Sequence, residues 1–249
     1  MRVLIAIPVF NEERYVADIL ARIRPLSDDI LVVDDGSTDA THRILSEFAK
    51  LERIRHPDNL GYGRSLIDAF EFAARRDFDW IITIDCDDQH EPALIPAFIE
   101  RAERDDVDVV SGSRYLRDMP GNTPPPGDRR RINLRITRLL NQKLGLDLTD
   151  AFCGFKAFRV SALRRLSLSV PGYAFPLQFW VQAAYRRLRM CELPVHLIYN
   201  DPTRHFGGTL DDPEARLRHY LYVFDAEWAR VSASWDREMV ACDSVPCTD

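Results

Sequence analysis

Three stretches of the chain are apolar at nearly every position: Val3-Leu4-Ile5-Ala6-Ile7-Pro8-Val9-Phe10, Ile30-Leu31-Val32-Val33 and Trp80-Ile81-Ile82-Thr83-Ile84. A strand with one wet face alternates apolar and polar side chains; a strand apolar on both sides must be covered on both, as in a parallel sheet flanked by helices. The segments between the runs have helical spacing, with Val16, Ile19, Leu20 and Ile23, then Ile44, Leu45 and Phe48, then Leu66, Ala69, Phe70 and Ala73. The alternation βαβαβ predicts a doubly wound α/β sheet. Each apolar run also stops abruptly at polar residues, and in such a sheet ligands bind beyond the carboxyl ends of the strands.

A further helix is expected from Glu91 to about Asp105, with Pro92 in its first turn, feeding a strand at Val107 to Val110. The run Met119-Pro120-Gly121-Asn122-Thr123-Pro124-Pro125-Pro126-Gly127 reads as a loop or lid, because prolines remove donors and glycines loosen the chain. Helices are predicted at Arg130 to Leu144, Val160 to Leu166 and Pro176 to Leu188, with a strand at Glu192 to Ile198. A last amphipathic helix over Pro213 to Val231 carries Leu217, Tyr220, Leu221, Phe224 and Trp228, and packing on the core is its expected role. Residues 236–249 read as a flexible tail.

The strand ends carry the candidate chemistry. Asn11 and Glu12 after the first run either face the crevice or cap the next helix. Asp34 and Asp35 are adjacent carboxylates at a buried strand end, costly without a partner and suited to hydrogen bonds from a base edge or ribose. Asn59-Leu60-Gly61-Tyr62-Gly63-Arg64 is equally a helix-entry turn or a place of close backbone approach. In Asp85-Cys86-Asp87-Asp88-Gln89-His90, extended backbone would point Asp85 and Asp87 to one side, with Gln89 as a neutral third oxygen. Such hard oxygen ligands suit Mg²⁺ or Mn²⁺ and the phosphates it carries, with His90 behind them rather than ligating. Arg114 closes the Ser111-Gly112-Ser113-Arg114-Tyr115 segment with a fork that fits diphosphate oxygens or a surface ion pair.

These motifs, from Ile7–Glu13 through Val33–Asp39, Asn59–Gly61 and Asp85–Pro92 to Gly112–Tyr115, occur in the order found in inverting GT-A-fold nucleotide-sugar glycosyltransferases. The subgroup that the chain most resembles is the dolichol-phosphate and polyprenyl-phosphate mannose synthases. The resemblance implies a GT-A domain over residues 1–235, with a Rossmann-like nucleotide-sugar half to residue 115 and a less regular acceptor half after it. It implies that Pro8, Phe10, Glu12 and Asp35 line the nucleoside pocket and that Asp85, Asp87 and Gln89 hold the metal. Cys86 lies between the two ligands, and Arg114 meets the diphosphate. The implied reaction moves a sugar, GDP-mannose being the favoured donor, to a polyprenyl-phosphate or other acceptor; Asp87, Arg114 and Asp150 are its candidate catalytic residues.

The chain departs from the subgroup in its acceptor half. Asp150-Ala151-Phe152-Cys153-Gly154-Phe155-Lys156 stands where the family has Asp-x-x-Ser-Gly-Phe-Arg, so Lys156 keeps a charge for phosphate and loses the bidentate fork. Asp150 is the carboxylate expected near the acceptor: a general base for a hydroxyl, superfluous for a phosphate, or a loop-holding group. Arg204-His205-Phe206-Gly207-Gly208-Thr209-Leu210 resembles the family's basic loop without its lysine, with Arg204 and His205 closing over the diphosphate on glycine hinges. Gln178-Phe179-Trp180 lacks the arginine of processive polysaccharide synthases. A sugar-nucleotide pyrophosphorylase would show a Gly-rich, basic loop after the first strand, which Pro8 to Glu13 does not supply, and a binding protein without turnover is the other alternative.

A net charge of −6 argues against nonspecific nucleic-acid binding. Five scattered cysteines without a CxxC pair fit reduced thiols. No apolar stretch reaches the ~18 residues of a membrane span. A cytoplasmic enzyme, with a lipid-phosphate acceptor met peripherally at a membrane surface, is the resulting expectation.

Overall fold

The computed structural model describes residues 1–200 and 205–242, with side chains described through Ala233. Strand β1 (Val3–Val9) is followed by α1 (Val16–Ile23), β2 (Ile30–Asp34), α2 (Thr41–Ser46), β3 (Glu52–Arg55), α3 (Tyr62–Arg75) and β4 (Trp80–Thr83). Then come α4 (Ile95–Glu103), β5 (Val109–Ser113), α5 (Gly127–Leu144), β6 (Lys156–Arg159), α6 (Val160–Leu163), α7 (Phe175–Tyr185), β7 (Met190–Pro194) and α8 (Pro213–Cys242). The seven strands form one sheet in the order β3-β2-β1-β4-β6-β5-β7.

All pairings are parallel except those of β6, which runs antiparallel between β4 and β5. From β1 the chain steps outward to β2 and β3 on one side, and β4 lies on the other. The order therefore reverses at β1, and a crevice opens beyond the carboxyl ends of β1, β2 and β4. Because β6 is antiparallel, its start lies at that same rim: Lys156 is opposite both Thr83 and Ser111. The second half of the chain thus completes the sheet of the first.

The apolar runs divide by alternation between two cores. Leu4, Ala6, Leu31, Val33 and Ile81 join α3, α5, α7 and α8 on one face; Ile5, Ile7, Val9, Val32 and Ile82 join α1 and α4 on the other. Each fully buried side chain of this kind is worth about 1.5–3 kcal/mol, so burial on both faces ties the strand ends to a stiff platform.

Several boundaries differ from the sequence expectation for local reasons. The helix expected from Glu91 is a 3₁₀ turn at Pro92–Leu94 before α4. β5 begins at Val109, just after Asp108, whose carboxylate accepts from the Arg159 and Arg189 side chains. The helix foreseen at Val160 to Leu166 is one turn, α7 ends at Tyr185, and β7 starts at Met190 and stops at Pro194. Gly127, read as loop, opens α5. α8 packs through Leu217, Tyr220, Phe224 and Val231 and continues past residue 236 to Cys242; the rest of the expected tail lies outside the described residues. No helix among the described residues is long and apolar enough to cross a membrane.

Candidate active site

One cavity of about 760 Å³ lies in the crevice, and Pro8, Phe10, Glu12, Asp35, Asp85, Cys86, Asp87, Gln89 and Arg114 all line it. Its other wall comes from the second half of the chain, including Arg129, Asn133, Tyr173, Tyr199, Phe206 and Tyr220. Phe10 is 41% exposed at the mouth, whereas Glu12 and Asp35 are buried.

Asp35 follows β2 directly. Its carboxylate accepts hydrogen bonds from the backbone N–H groups of Leu60 and Gly61, both at 2.8 Å. Gly61 has φ +104°, and a Cβ there would stand 2.5 Å from the Pro171 carbonyl oxygen, so only glycine presents its N–H to Asp35 in this way. The two-carboxylate problem at this strand end is solved by division: Asp34 Oδ1 caps the Ser37 N–H at 2.9 Å while Asp35 faces the cavity.

Asp85 and Asp87 follow β4. Asp85 Oδ1 accepts from the Tyr62 hydroxyl at 3.0 Å, and His90 Nε2 lies 3.6 Å from Oδ2. Burial, then the Asp85 charge, push the Tyr62 phenol up, so it remains a donor. Burial works to raise the Asp85 carboxyl, but His90 and Tyr62 hold it below the usual range. The same carboxylate rests on Gly154, where a Cβ would run into it. Asp87 Oδ1 accepts from the Gln89 N–H at 3.1 Å, and Asp88 sits at φ +55°. The backbone therefore turns after Asp87 instead of staying extended, and Gln89 reaches the cavity wall through that turn. Cys86 contributes backbone only, since its thiol is in the core and burial pushes its pKa up.

The donor set fits a divalent cation. Asp87 is pushed up to about 6 by burial and then by the neighbouring Asp85 charge. A carboxylate whose ionisation is opposed by a charged neighbour on the same cavity wall is relieved by a cation between them. No group of three or more His, Cys, Asp or Glu side chains is placed to hold a metal among the described residues. Two carboxylates suit a Mg²⁺-type ion, which takes one or two carboxylates and completes its shell with water and substrate phosphates. Asp85, Asp87 and Gln89 fit this pattern.

The Asp87 shift has a consequence for the metal-free protein. An unfolded aspartate titrates near ~3.9, so the folded state keeps a proton that the unfolded chain releases between about 4 and 6. The associated stability is fully present below about pH 4 and is lost as pH rises through about 6. Asp87→Asn is therefore expected to be more stable than the parent by about 2 kcal/mol at pH 8 without metal, and indistinguishable at pH 4. Chemical denaturation at the two pH values checks it; equal differences at both would contradict it.

Three sequence expectations need correction. Asp150 does not line the cavity: it is 0% exposed, and its carboxylate accepts from Arg114 Nε at 2.6 Å and Nη2 at 3.0 Å, Asn133 Nδ2 at 2.7 Å and Phe152 N–H at 3.1 Å. Burial raises its pKa, but Arg114 more than reverses this and leaves it well below the usual range. A carboxylate so occupied is no general base. Arg114 does reach the cavity, yet its fork grips Asp150, so the bidentate face expected for a diphosphate is already used. Lys156 is turned inward, its ammonium donating to the Cys153 carbonyl, and burial lowers its pKa. Arg204 lies outside the described residues; its neighbours His205 and Gly207 line the cavity.

Other wall residues carried no separable signal in the sequence. Tyr62 was visible only as the filler of a Gly-x-Gly turn, yet it holds Asp85 and stacks on Tyr173 at 5.9 Å. Arg129 lies 4.7 Å from the Phe206 ring centroid. Arg216, on α8, is buried against Asp128 of α5 at 2.5 Å and closes the cavity from behind. These pairings are tertiary, and spacing along the chain does not encode them.

The family description "Glycosyl transferase family 2" matches residues 4–167. The undecaprenyl-phosphate mannosyltransferase of Micrococcus luteus is 30% identical over 209 residues, covering 80% of this chain and 84% of that protein. The UDP-N-acetylglucosamine–dolichyl-phosphate N-acetylglucosaminyltransferase of Methanococcus voltae is 28% identical, with coverage of 80% and 86%. Among solved structures, glucosyl-3-phosphoglycerate synthase from Mycobacterium tuberculosis, in complex with Mn²⁺, UDP-glucose and phosphoglyceric acid, superposes with a TM-score of 0.67 at 20% identity. That match covers 92% of this chain and 80% of the other, and it shows the GT-A fold. With the matched segment spanning the ends of β1, β2, β4 and β5, the chain belongs to glycosyl transferase family 2.

Proposed function

We propose that the chain transfers a sugar, with inversion and divalent-metal dependence, from a nucleoside diphosphate donor to a polyprenyl-phosphate acceptor, GDP-mannose being the favoured donor. The observation that carries this reading is the convergence of Asp35, Asp85 and Asp87 on one cavity of about 760 Å³. That volume suits a nucleotide sugar with room beside it for a reacting group. Pro8 and Phe10 flank the base, Asp35 accepts from its edge, and the diphosphate lies over Asp85 and Asp87. Asp85 and Asp87 would hold Mg²⁺ or Mn²⁺, which would supply counter-charge for a departing diphosphate. Tyr62 and His90 keep Asp85 in place as an anion, and Arg114, anchored by Asp150, adds fixed positive charge to the same wall.

A phosphate acceptor is already an anionic nucleophile and needs no general base, which agrees with the full occupation of Asp150. The aromatic wall of Tyr173, Tyr199, Phe206 and Tyr220, with Arg129, suits a phosphate carried on an apolar chain. Peripheral contact with a membrane is supported by α5. Ile132 and Asn133 of this helix line the cavity, while Arg131, Arg135 and Arg138 are exposed on its outer face around Leu134, itself 36% exposed. None of the three guanidinium groups has an ion-pair or hydrogen-bond partner among the described residues. Each such cation near an anionic bilayer contributes about 1 kcal/mol.

The test is a thermal-shift panel of GDP-mannose, UDP-glucose and UDP-N-acetylglucosamine with and without Mn²⁺, followed by nucleotide diphosphate release with polyprenyl phosphate in anionic vesicles. Metal-dependent stabilisation by one donor and acceptor-dependent release are expected. No metal-dependent binding of any sugar nucleotide would sink the reading; binding without release would favour a protein that has lost turnover.

A further inference from the structure

Asp35 is held by more than the turn beneath it. His56 Nδ1 lies 2.6 Å from Asp35 Oδ1, and its Nε2 lies 2.8 Å from Asp68 Oδ2. Asp68, on α3, is in turn gripped by Arg64 through Nε at 3.0 Å and through Nη2. The chain Arg64–Asp68–His56–Asp35 thus runs from α3 to the cavity wall. His56 is 6% exposed and is absent from the cavity lining, so it acts on a ligand only through Asp35. Both carboxylates already accept from N–H donors, Asp35 from Leu60 and Gly61 and Asp68 from Arg64. The His56 ring thus links the two carboxylates, with one nitrogen at hydrogen-bond distance from each.

We infer that His56 is a positioning residue for donor-base selection: braced by Asp68, it fixes Asp35 as an acceptor-only group at the nucleobase edge. The inference rests on the nucleotide-sugar reading above. With Oδ1 taken by His56 and Leu60, and Oδ2 held on one side by Gly61, the carboxylate presents a remaining acceptor site on Oδ2. An acceptor there pairs with the ring N–H of uracil or guanine and opposes the bare ring nitrogen that cytosine or adenine presents at the same edge. Without His56, Asp35 loses one of its three anchors and rotates more freely, so the fit to the base weakens while the phosphate end of the site is untouched.

Calorimetric affinities in Mn²⁺ for UDP, GDP, CDP, ADP and inorganic pyrophosphate decide the matter. In the parent, UDP or GDP is expected to bind better than CDP and ADP. His56→Ala is expected to reduce that preference on the order of tenfold and to leave pyrophosphate affinity within about threefold. His56→Gln, which keeps one side-chain donor, recovers part of the preference, and Asp68→Asn shifts it in the same direction by less. Unchanged preference in both His56→Ala and Asp68→Asn overturns the role of His56, as does a parallel loss of pyrophosphate affinity, the signature of general loosening. Should His56→Ala not fold, Asp68→Asn alone carries the decision by the same criteria. A parent that binds none of these nucleotides overturns the donor reading itself, which separates the two failures.

Discussion

Asp87→Ala is expected to lower kcat/KM for the donor by at least about 10³-fold, equivalent to about 4 kcal/mol of transition-state stabilisation, and to abolish the metal-dependent thermal shift. The basis is the position of Asp87 on the cavity wall beside Asp85 and its raised pKa, which marks negative charge held at a cost until a cation shares it. Asp85 has two further partners, Tyr62 and His90, so its removal disturbs more than ligation. Asp87 is the cleaner probe. Asp88→Asn serves as the control, because Asp88 is engaged with Arg22 at 2.6 Å, outside the cavity, and asparagine tolerates its left-handed backbone. It is expected to keep activity within about threefold of the parent, as a lost surface ion pair is worth about 0–1 kcal/mol. Titration with Mn²⁺ while following donor binding reads both variants; full metal-dependent binding by Asp87→Ala would remove the metal assignment while leaving the fold intact.

The parts of the molecule that the sequence made legible are those in which a single segment carries both the structural and the chemical signal. β1, β2 and β4 are buried on both faces, so their apolar runs were unmistakable, and the residues just after them had to lie at the rim. Asp35, Asp85 and Asp87 follow those runs and line the cavity. β3 was missed because it is a short edge strand of Glu52, Arg53, Ile54 and Arg55, charged as edges tend to be and therefore without an apolar run. β6 was missed because it is only four residues long and begins at Lys156, the last residue of a motif read for its chemistry, and only its antiparallel insertion brings Gly154 against Asp85. The direction of Lys156 was misread for a related reason: charge and position in a motif do not reveal whether a side chain points to a ligand or to a carbonyl of its own turn. Family membership sets aside the pyrophosphorylase alternative, since the matched family is a glycosyltransferase one.

Asp150→Ala is expected to be the most destabilising single substitution at the site. Asp150 is fully buried and supplies the counter-charge for Arg114, whose side chain is only 18% exposed, besides accepting from Asn133 and Phe152. Removing one partner of such a pair leaves a buried charge uncompensated, a cost of about 3–5 kcal/mol, or a Tm lower by about 10 °C in a chain of this size. Since the folded pKa of Asp150 is depressed, the contribution is present above about pH 4 and lost as pH falls below it, so the gap between parent and variant should narrow in acid. Adding Arg114→Met to the variant removes the stranded charge and should restore part of the stability. A general base at this position would behave differently: Asp150→Asn would fold with undiminished stability, lose turnover, and shed the acid limb of its pH–rate profile. We expect instead that Asp150→Asn loses stability and that whatever turnover survives keeps the parent's pH dependence, because the carboxylate acts by holding Arg114 against the cavity wall. Denaturation midpoints and pH–rate profiles of Asp150→Asn measured side by side discriminate between the two, and a stable variant with an altered profile would return Asp150 to the reaction itself.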